Sequence, residues 1–458
     1  MHSRSILIAG GGPAGSTLAA ILAKEGMDVT ILDKAKFPRP HIGEALQPAA
    51  FELLDFHLGL GPLMRQHGFI KKYGAIYEWG ENKRRWSVLF DDRLDSGVDK
   101  LSREKLEAGD YAHSFQVDRG EFDQLLLQHA EERGATVRQE IEAVSPIMEG
   151  DQVVGLRVRD TSKQDAPLED VRADFVVDAT GARCLLGRTF NLTRDVPDLQ
   201  ATATWCYVTG AGGVGAPLHR NIQLVVTVPE GWVWFIPLSE ERTSVGVVTH
   251  ERKKVSPEKF WEILERTTLP LDGCQMEPGP KGSPYRHMKD WSYTHKQFVG
   301  PGWMMLGDAA CFTDPILSGG VDFAIRGACN AAVAILRGSS NEALGQYQAQ
   351  LRKEFNAYLR LARYWYANNR AVDGLFWEMH KIIPIAAIST PLRAFKYLTS
   401  GACDADAHFH VFTVAQEEKI FKQLGVDETQ LKNVLKRAKR HIENPYIDDG
   451  KPDTLHDG

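Results

Sequence analysis

Near its start the chain carries three glycines and an aspartate at a spacing typical of nucleotide-binding sites. Gly10, Gly12 and Gly15 follow the apolar run 5–9 and precede a segment with helical periodicity. Gly10 permits a tight turn, Gly12 lets the backbone approach a pyrophosphate, and Gly15 allows close packing of helix and strand. Asp33 ends the next apolar run, where a carboxylate binds ribose hydroxyls. This order of strand, turn, helix, strand and acid predicts a dinucleotide site at a helix N-terminus.

The same glycine spacing recurs at Gly210, Gly212 and Gly215, but no apolar helical period follows. Without a helix there is no converging set of N–H groups to bind an anion, so we predict a loop there. The chain therefore shows one dinucleotide site and no separate fold for a nicotinamide cofactor.

Two tryptophans one residue apart are the second candidate for a functional surface. Trp232 and Trp234 lie in the segment 223–237, which predicts two β-strands around a Pro-Glu-Gly turn and ends at Pro237. Alternate residues of a strand point to the same face, so the two rings would form one flat aromatic wall. The alternative is a pair of core aromatic residues in a hairpin.

Two further segments carry groups suited to reactive small molecules. Lys71 and Lys72 are adjacent, and a lysine in a partly apolar pocket has a depressed pKa and acts as a hydrogen-bond donor or nucleophile. The alternative is a pair of solvated lysines where a strand begins. Further along, Gly319 and Gly320 permit neighbouring N–H groups to turn together into a nest that holds a small anion.

Three other segments bear a family resemblance. Residues 115–123, 174–181 and 302–310 resemble, in this order, the FAD domain of the aromatic hydroxylase and halogenase superfamily. In that superfamily the carboxylate at the position of Asp308 holds the ribityl chain. The resemblance implies an α/β fold in which a Rossmann-like FAD-binding domain is interleaved with a β-rich substrate domain and followed by a helical C-terminal region.

Further motifs resemble those of flavin-dependent halogenases in particular. The pattern W-x-W-x-I-P occupies 232–237, and F-x-x-P-x-x-S-x-G occupies 312–320. The pattern F-x-x-K-x-G at 69–74 assigns the active lysine to Lys72 rather than Lys71. The segment His41-Ile-Gly-Glu-Ala45 resembles the family's Gly-Glu-Ser loop near the cofactor, with alanine in place of the serine.

The resemblance implies a reaction and a set of site residues. In this family the aromatic wall keeps the organic substrate from the flavin, so oxygen activated there goes to a halide. Hypohalite is then held by the lysine, or forms a haloamine on it, and halogenates an electron-rich ring. Implied catalytic residues are Lys72, Trp232, Trp234 and Pro237, and implied halide contacts are Ser318, Gly319 and Gly320. Implied cofactor contacts are Gly10, Gly12, Pro13, Ala14, Gly15, Asp33, Lys34, Arg39, Ile42, Gly43, Glu44, Arg119, Gly307, Asp308, Pro315 and Gly320.

The same resemblance suggests partners. A separate flavin reductase would supply reduced FAD, and the branch resembled acts on phenols or pyrroles, in some members tethered to a carrier protein. Two alternatives stay open from sequence. One is an aromatic hydroxylase or reductase of the same fold, and the other is a non-catalytic flavoprotein that binds FAD and a partner through the basic helix predicted at 429–443.

The order of the motifs predicts the domain organisation. The FAD-binding module comprises 1–75, 116–195 and 296–330, and the β-rich substrate part comprises 76–115 and 196–295. A helical cap follows at 331–445, and the last segment, 446–458, is rich in Asp and Gly and predicts a disordered tail.

Composition excludes other classes of function. A net charge of −6 and a pI near 6.2 argue against nucleic acid as a partner. The six cysteines lie far apart without a C-x-x-C pair, which favours reduced thiols over a disulfide frame or a metal site. No apolar run approaches the roughly 20 residues of a membrane span, and the first strand leaves no room for a signal peptide. We therefore expect a soluble cytoplasmic protein.

Overall fold

A computed structural model describes residues 4–370, apart from 79–84, 96–100, 110, 216–217, 252 and 280–281. Within these residues the helices are α1 Pro13–Lys24, α2 Pro48–Leu58, α3 Gly61–His67, α4 Asp92–Asp95, α5 Arg103–Ala108, α6 Arg119–Glu132, α7 Leu185–Thr189, α8 Pro257–Glu265, α9 Gly320–Leu336 and α10 Asn341–Arg370. The strands are β1 Ser5–Ala9, β2 Asp28–Asp33, β3 Ile70–Lys72, β4 Gly74–Glu78, β5 Arg85–Leu89, β6 Ser114–Gln116, β7 Thr136–Gln139, β8 Ile141–Glu149, β9 Gln152–Asp160, β10 Leu168–Arg172, β11 Phe175–Asp178, β12 Thr193–Asp195, β13 Thr202–Thr209, β14 Gln223–Val228, β15 Gly231–Pro237, β16 Arg242–Thr249, β17 Gln275–Met276, β18 Arg286–Lys289, β19 Tyr293–His295, β20 Val299–Gly300 and β21 Trp303–Met305.

A six-stranded sheet carries the glycine turn. Its order is β20-β21-β11-β1-β2-β7, and all pairs are parallel except β20 with β21. Ile6, Leu7 and Ile8 of the inner strand β1 are fully buried, as expected for a parallel strand covered on both faces. Helices α1, α6 and α9 pack together beside this sheet. The predicted Rossmann-like unit is therefore present, with β1 leading directly into α1.

An eight-stranded sheet forms the second layer of the site. The sheet runs β17-β13-β16-β15-β14-β4-β5, with β18 also paired to β13, and β14 is parallel to β4. The predicted tryptophan hairpin lies at its centre as β14 and β15. Val233 and Phe235 pack toward α8 on one face, and the intervening Trp232 and Trp234 belong to the main core on the other. The period-two pattern of this strand thus separates a structural face from the site face.

Helix α9 runs from Gly320 to Leu336, through the predicted boundary between residues 330 and 331. The run 331–336 is entirely apolar and continues the helix that begins at the site. Helix α9 packs on α1, α2 and α10. The first part of the predicted cap is therefore continuous with the FAD-binding module. The rest of the cap, the basic helix at 429–443 and the tail at 446–458 lie outside the described residues.

Among the described residues between the second glycine match and β14 there is no helix, as predicted. The described residues of this match form a loop in which the Gly212 N–H donates to the Pro270 carbonyl at 2.9 Å. Nowhere in the described ranges is a helix both long enough and apolar enough to cross a bilayer.

Candidate active site

A cavity of about 490 Å³ extends from the glycine turn to the tryptophan face of the second sheet. Most of the predicted site residues line it, and they are Gly10, Gly12, Pro13, Ala14, Asp33, Lys34, Arg39, Ile42, Gly43, Glu44, Arg119, Trp232, Trp234, Asp308, Pro315, Ser318 and Gly320. The other predicted residues are not in its lining, and they are Gly15, Lys72, Pro237, Gly307 and Gly319. The N-terminal glycine turn and the tryptophan strand, which are far apart in the sequence, therefore line the same cavity.

The three glycines of the turn have different physical roles. Gly10 has a φ of +111°, and a Cβ there would lie 2.1 Å from the Ala179 carbonyl oxygen. A Cβ on Gly15 would lie 2.0 Å from the Gly10 carbonyl oxygen, so α1 could not approach β1 as closely. A Cβ on Gly12 would meet only the Arg39 guanidinium, at 3.4 Å. Gly10 and Gly15 are thus required by the fold, whereas Gly12 leaves backbone open to the cavity.

The groups beside Gly12 are suited to a pyrophosphate. Gly12 caps α1 without a side-chain hydrogen bond, so the first N–H groups of the helix remain available for an anion. Arg39 and Arg119 line the cavity and share Asp123, at 3.2 and 2.8 Å. Asp33 accepts from the Gly11 and Ala35 N–H groups, each at 2.8 Å, which fixes its carboxylate at the cavity edge. The residues present therefore fit the phosphate and ribose part of FAD.

Asp308 lines the cavity and follows shortly after the end of β21. Burial raises the pKa of this carboxyl to about 6, while the nearby Arg119 guanidinium lowers it. The preceding Gly307 has a φ of +59°, and a Cβ there would lie 3.0 Å from the Ala14 side chain. Gly307 thus lets the chain turn against α1 and present Asp308.

Trp232 and Trp234 lie side by side on the cavity wall, but the wall is not flat. Their ring centroids are 5.9 Å apart and the planes are inclined by 50°. Trp205 extends the cluster, 6.5 Å from Trp234 at 44°. The twist of the sheet rotates successive side chains on one face, which the expectation of a flat wall ignored. Pro237 does not line the cavity, and its carbonyl accepts a hydrogen bond from the Gln116 side chain at 2.7 Å.

A chain of hydrogen bonds holds Trp232 to the loop before α9. The indole N–H of Trp232 donates to the Tyr366 hydroxyl at 2.9 Å, and Tyr366 donates to the Asp314 carboxyl at 2.8 Å. The Ile316 N–H donates to the same carboxyl oxygen at 2.9 Å. Burial raises the pKa of Asp314 to about 7. Sequence reasoning did not find Tyr366, because nothing near it in the chain marks it as a partner of Trp232.

The loop at 315–320 turns at the serine rather than at the glycines. Ser318 has a φ of +55°, while Gly319 has a φ of −84° and Gly320 begins α9. The glycines are needed for space, since a Cβ on Gly319 would lie 2.5 Å from the Tyr358 ring and one on Gly320 would lie 2.9 Å from Phe312. A left-handed residue followed by a right-handed one still makes a nest of N–H groups, here at the N-terminus of a 17-residue helix.

Lys72 is almost completely buried, with 1% of its surface exposed, beyond the cavity lining. Its Nζ donates to the Leu46 carbonyl at 3.2 Å and lies 5.4 Å from the centre of the Phe90 ring. Leu46 directly follows Glu44 and Ala45, which line the cavity. Burial lowers the pKa of Lys72 to about 7, so that a neutral amine and an ammonium coexist near neutral pH.

Comparisons with known proteins agree with this geometry. A family model described as an FAD binding domain matches residues 3–360. The chain is 32% identical over 397 residues to the tryptophan 2-halogenase of Chondromyces crocatus, which covers 83% of this chain and 71% of the relative. It is 31% identical over 366 residues to the 1H-pyrrole-2-carbonyl-(peptidyl-carrier protein) chlorinase of Pseudomonas fluorescens, covering 74% and 77%.

A solved structure gives the same result. The myxobacterial chondrochloren halogenase CndH, an FAD-dependent enzyme, matches with a TM-score of 0.71 at 29% identity, over 89% of this chain and 92% of that one. The fold and the cavity define an FAD-binding oxidoreductase. Within that class the chain belongs to the flavin-dependent halogenases, which confirms the family predicted from its motifs.

Proposed function

We propose that the protein halogenates a phenol- or pyrrole-like ring with hypohalite made in the FAD cavity and delivered to Lys72. The observation that carries the proposal is the position of Trp232 and Trp234 on the cavity wall, with Lys72 buried outside the lining. An organic ring excluded from the cavity by the indoles could still meet a small oxidant at the lysine.

The first requirement is a site for halide. Reduced FAD bound in this cavity would give two electrons to O2, and the oxygen would take two more from a halide ion to form hypohalite. The nest at Ser318 and Gly319, with the N-terminus of α9 behind it, would hold that ion by backbone N–H groups. Ser318 and Gly320 line the cavity, so an ion held there would be within it.

The second requirement is exclusion of the organic substrate. The indoles of Trp232 and Trp234 are at most 6% exposed, and the N–H of each is hydrogen bonded, to Tyr366 and to Ser244. Fixed indoles make a rigid apolar wall that hypohalous acid can pass more easily than a ring. This arrangement would favour halogen transfer over direct hydroxylation.

The third requirement is a group that holds the oxidant. As an ammonium, Lys72 would donate a hydrogen bond to the oxygen of hypohalous acid. As an amine it would take the halogen, forming an N–halogen bond with loss of one water. A pKa near 7 makes both forms available, and the apolar surroundings protect the oxidant from water.

We also propose two partners. Among the described residues, a single Gly-x-Gly-x-x-Gly turn leads into a helix, so the reducing equivalents would come from a separate flavin reductase. A relative is named for its action on a pyrrole attached to a peptidyl-carrier protein, and on this likeness the second proposed partner is a carrier protein that holds the substrate.

The test is a mass-spectrometric screen. The purified protein is supplied with FAD, a flavin reductase, oxygen, and chloride or bromide, together with phenols, pyrroles and indoles that are free or carrier-bound. We expect a product whose isotope pattern follows the added halide and that disappears without halide. Hydroxylated product in place of halogenated product would contradict the proposal, and selective turnover of indoles would contradict the proposed substrate class.

A further inference from the structure

One polar side chain lies on the apolar sheet face that lines the FAD cavity. The described residues of the eight-stranded sheet that line this cavity are Ala203, Gln223, Val225, Trp232, Trp234, Ile236, Val248 and Met288. All of them are apolar or aromatic except Gln223. It lies on β14 two residues before Val225, which pairs with Trp234, so these side chains share the cavity face. The intervening Leu224 packs into the separate core on the other face. A neutral amide therefore projects from the sheet toward the cavity.

The amide of Gln223 meets the loop that leads into α9. Its Nε2 and its Oε1 each lie 3.4 Å from the Ser318 hydroxyl oxygen, and the amide makes no other hydrogen bond among the described residues. Both distances are long, because hydrogen bonds from N–H to oxygen ordinarily span about 2.7–3.2 Å. Gln223 is only 3% exposed, and a buried amide with weak partners lowers stability. A ligand that accepts a hydrogen bond from this amide would remove part of that penalty.

The contact with Ser318 places the amide beside the anion nest. Ser318 is the left-handed residue of that nest, and α9 begins two residues later at Gly320. No side chain caps the N-terminus of this helix, so its first N–H groups are available to an anion. Both Gln223 and Ser318 line the cavity. Hydrogen-bond donors from the central sheet and from the helix N-terminus therefore lie next to each other.

We propose that Gln223 is a ligand of the halide ion and donates a hydrogen bond to it from Nε2. The proposal rests on the proposed function, because it assigns a further residue to the halide site of that reaction. The Nε2 group carries two N–H bonds, and only one of them can point at the Ser318 hydroxyl oxygen. The other N–H is therefore available to an ion in the cavity.

A neutral amide suits an ion that must first be bound and then oxidised. A lysine or arginine in contact with the halide would neutralise its charge and make it a poorer electron donor. An amide N–H stabilises the ion without a full positive charge, and the apolar side chains around Gln223 strengthen the hydrogen bond. The strength of this bond depends on the ion, because the smaller chloride concentrates its charge more than bromide does. Loss of the amide should therefore weaken chloride binding more than bromide binding.

The test measures chloride binding to the oxidised enzyme at saturating FAD, from the broadening of the chloride NMR resonance, without substrate or turnover. Gln223→Met keeps the length of the side chain and removes its N–H groups. We expect the Kd for chloride to rise about ten- to hundredfold, as for the loss of one hydrogen bond to an ion, while FAD affinity stays unchanged. The Kd for bromide should rise less. In the product assay the KM for halide should rise, with kcat at saturating halide close to that of the wild-type enzyme.

Gln223→Glu gives a signature that a purely structural role of Gln223 would not produce. Its carboxylate keeps the shape of the amide but repels an anion, whereas its protonated form has an O–H group to donate. Chloride affinity of this variant should be lost at high pH and recover as the pH falls, more steeply than in the wild-type enzyme. Thr227→Val is the matched control, because Thr227 is buried on the same face of β14 but outside the cavity lining. It should bind chloride and FAD like the wild-type enzyme.

The possible results separate the role of Gln223 from the proposed function. Wild-type chloride affinity in Gln223→Met overturns the assignment of Gln223, and so does wild-type affinity of Gln223→Glu at high pH if the methionine variant does not fold. Weaker FAD binding with unchanged chloride affinity also overturns it, because the amide would then contact the cofactor instead of the ion. A wild-type enzyme that binds neither chloride nor bromide would contradict the proposed function itself.

Discussion

Gly12 and Gly15 lie three residues apart in the same turn, but an alanine should affect FAD affinity at Gly12 and folding stability at Gly15. Gly12→Ala adds a methyl group whose nearest neighbour is the Arg39 side chain, at 3.4 Å. Gly15→Ala adds one at 2.0 Å from the Gly10 carbonyl oxygen and 3.2 Å from the Ile8 side chain. The first change leaves the fold intact and alters the surface that faces the cofactor. The second forces α1 away from β1.

The expected magnitudes follow from these distances. A methyl on Gly12 occupies the space through which a pyrophosphate approaches the N–H groups of α1. Loss of one hydrogen bond to a charged group costs about 1.5–3 kcal/mol. That is roughly a ten- to hundredfold rise in the Kd for FAD. The contact at Gly15 is with backbone that cannot rotate away, so we expect an overpacking cost of at least about 1–3 kcal/mol of folding stability.

Both quantities are measurable on the same preparations. FAD affinity is obtained from the quenching of flavin fluorescence, and stability from unfolding of the FAD-free proteins in urea. Gly12→Ala should weaken FAD binding with unchanged stability, and Gly15→Ala should lower stability. Gly212→Ala, in the loop with the same glycine spacing, is the control and should change FAD affinity in neither direction. Equal FAD affinity for wild-type and Gly12→Ala proteins would refute the assignment of the turn.

Three further outcomes are expected. Lys72→Ala should keep FAD binding and oxygen consumption but abolish ring halogenation, whereas Lys71→Ala should be nearly neutral; the reverse result in a product assay would show that the lysine was misassigned. Lys72→Met should remove a pH dependence of stability: the unfolded lysine holds its proton to about 10.5 and the folded one to about 7, so wild-type stability in urea rises over that range, and an equal rise in the variant would contradict the burial. The double variant Trp232→Ala/Trp234→Ala, which costs on the order of 3–5 kcal/mol for each buried ring, should in its folded fraction yield less halogenated product and more hydrogen peroxide. Unchanged yields of both would show that these indoles only pack.

Local patterns were sufficient to predict the elements that carry the site. The apolar runs that became β1 and β2, the helical period after Gly15 and the alternation around Trp234 each lie within one element. The absence of a helix among the described residues between Gly212 and β14 could be predicted for the same reason. Sequence also separated Lys72 from Lys71 through a motif, and the structure gives Lys72 the greater burial of the two.

The rest of the site depends on contacts between distant parts of the chain. Tyr366 meets Trp232 across 134 residues, and Tyr207 meets Glu44 across 163. No regular spacing in the sequence predicts either contact. The left-handed turn was expected at two glycines and occurs at Ser318, because the glycines are required by the rings packed against them. Such requirements appear only when the neighbouring elements are in place.

The hydroxyl of Tyr366 gives the end of α10 a part in the chemistry of a site built mostly from earlier segments. It ties an indole of the central sheet to Asp314, in the loop that leads into α9. An exchange of C-terminal segments between halogenases, made to change the substrate, would therefore also change how Trp232 and the loop that leads into α9 are held together. Chimeras joined after residue 370 would keep this tie, while those joined after α9 would inherit whatever residue the donor has at its place. In a chimera joined after α9, the same junction would then change the range of substrates and, on the proposed function, lower the fraction of consumed oxygen that oxidises halide.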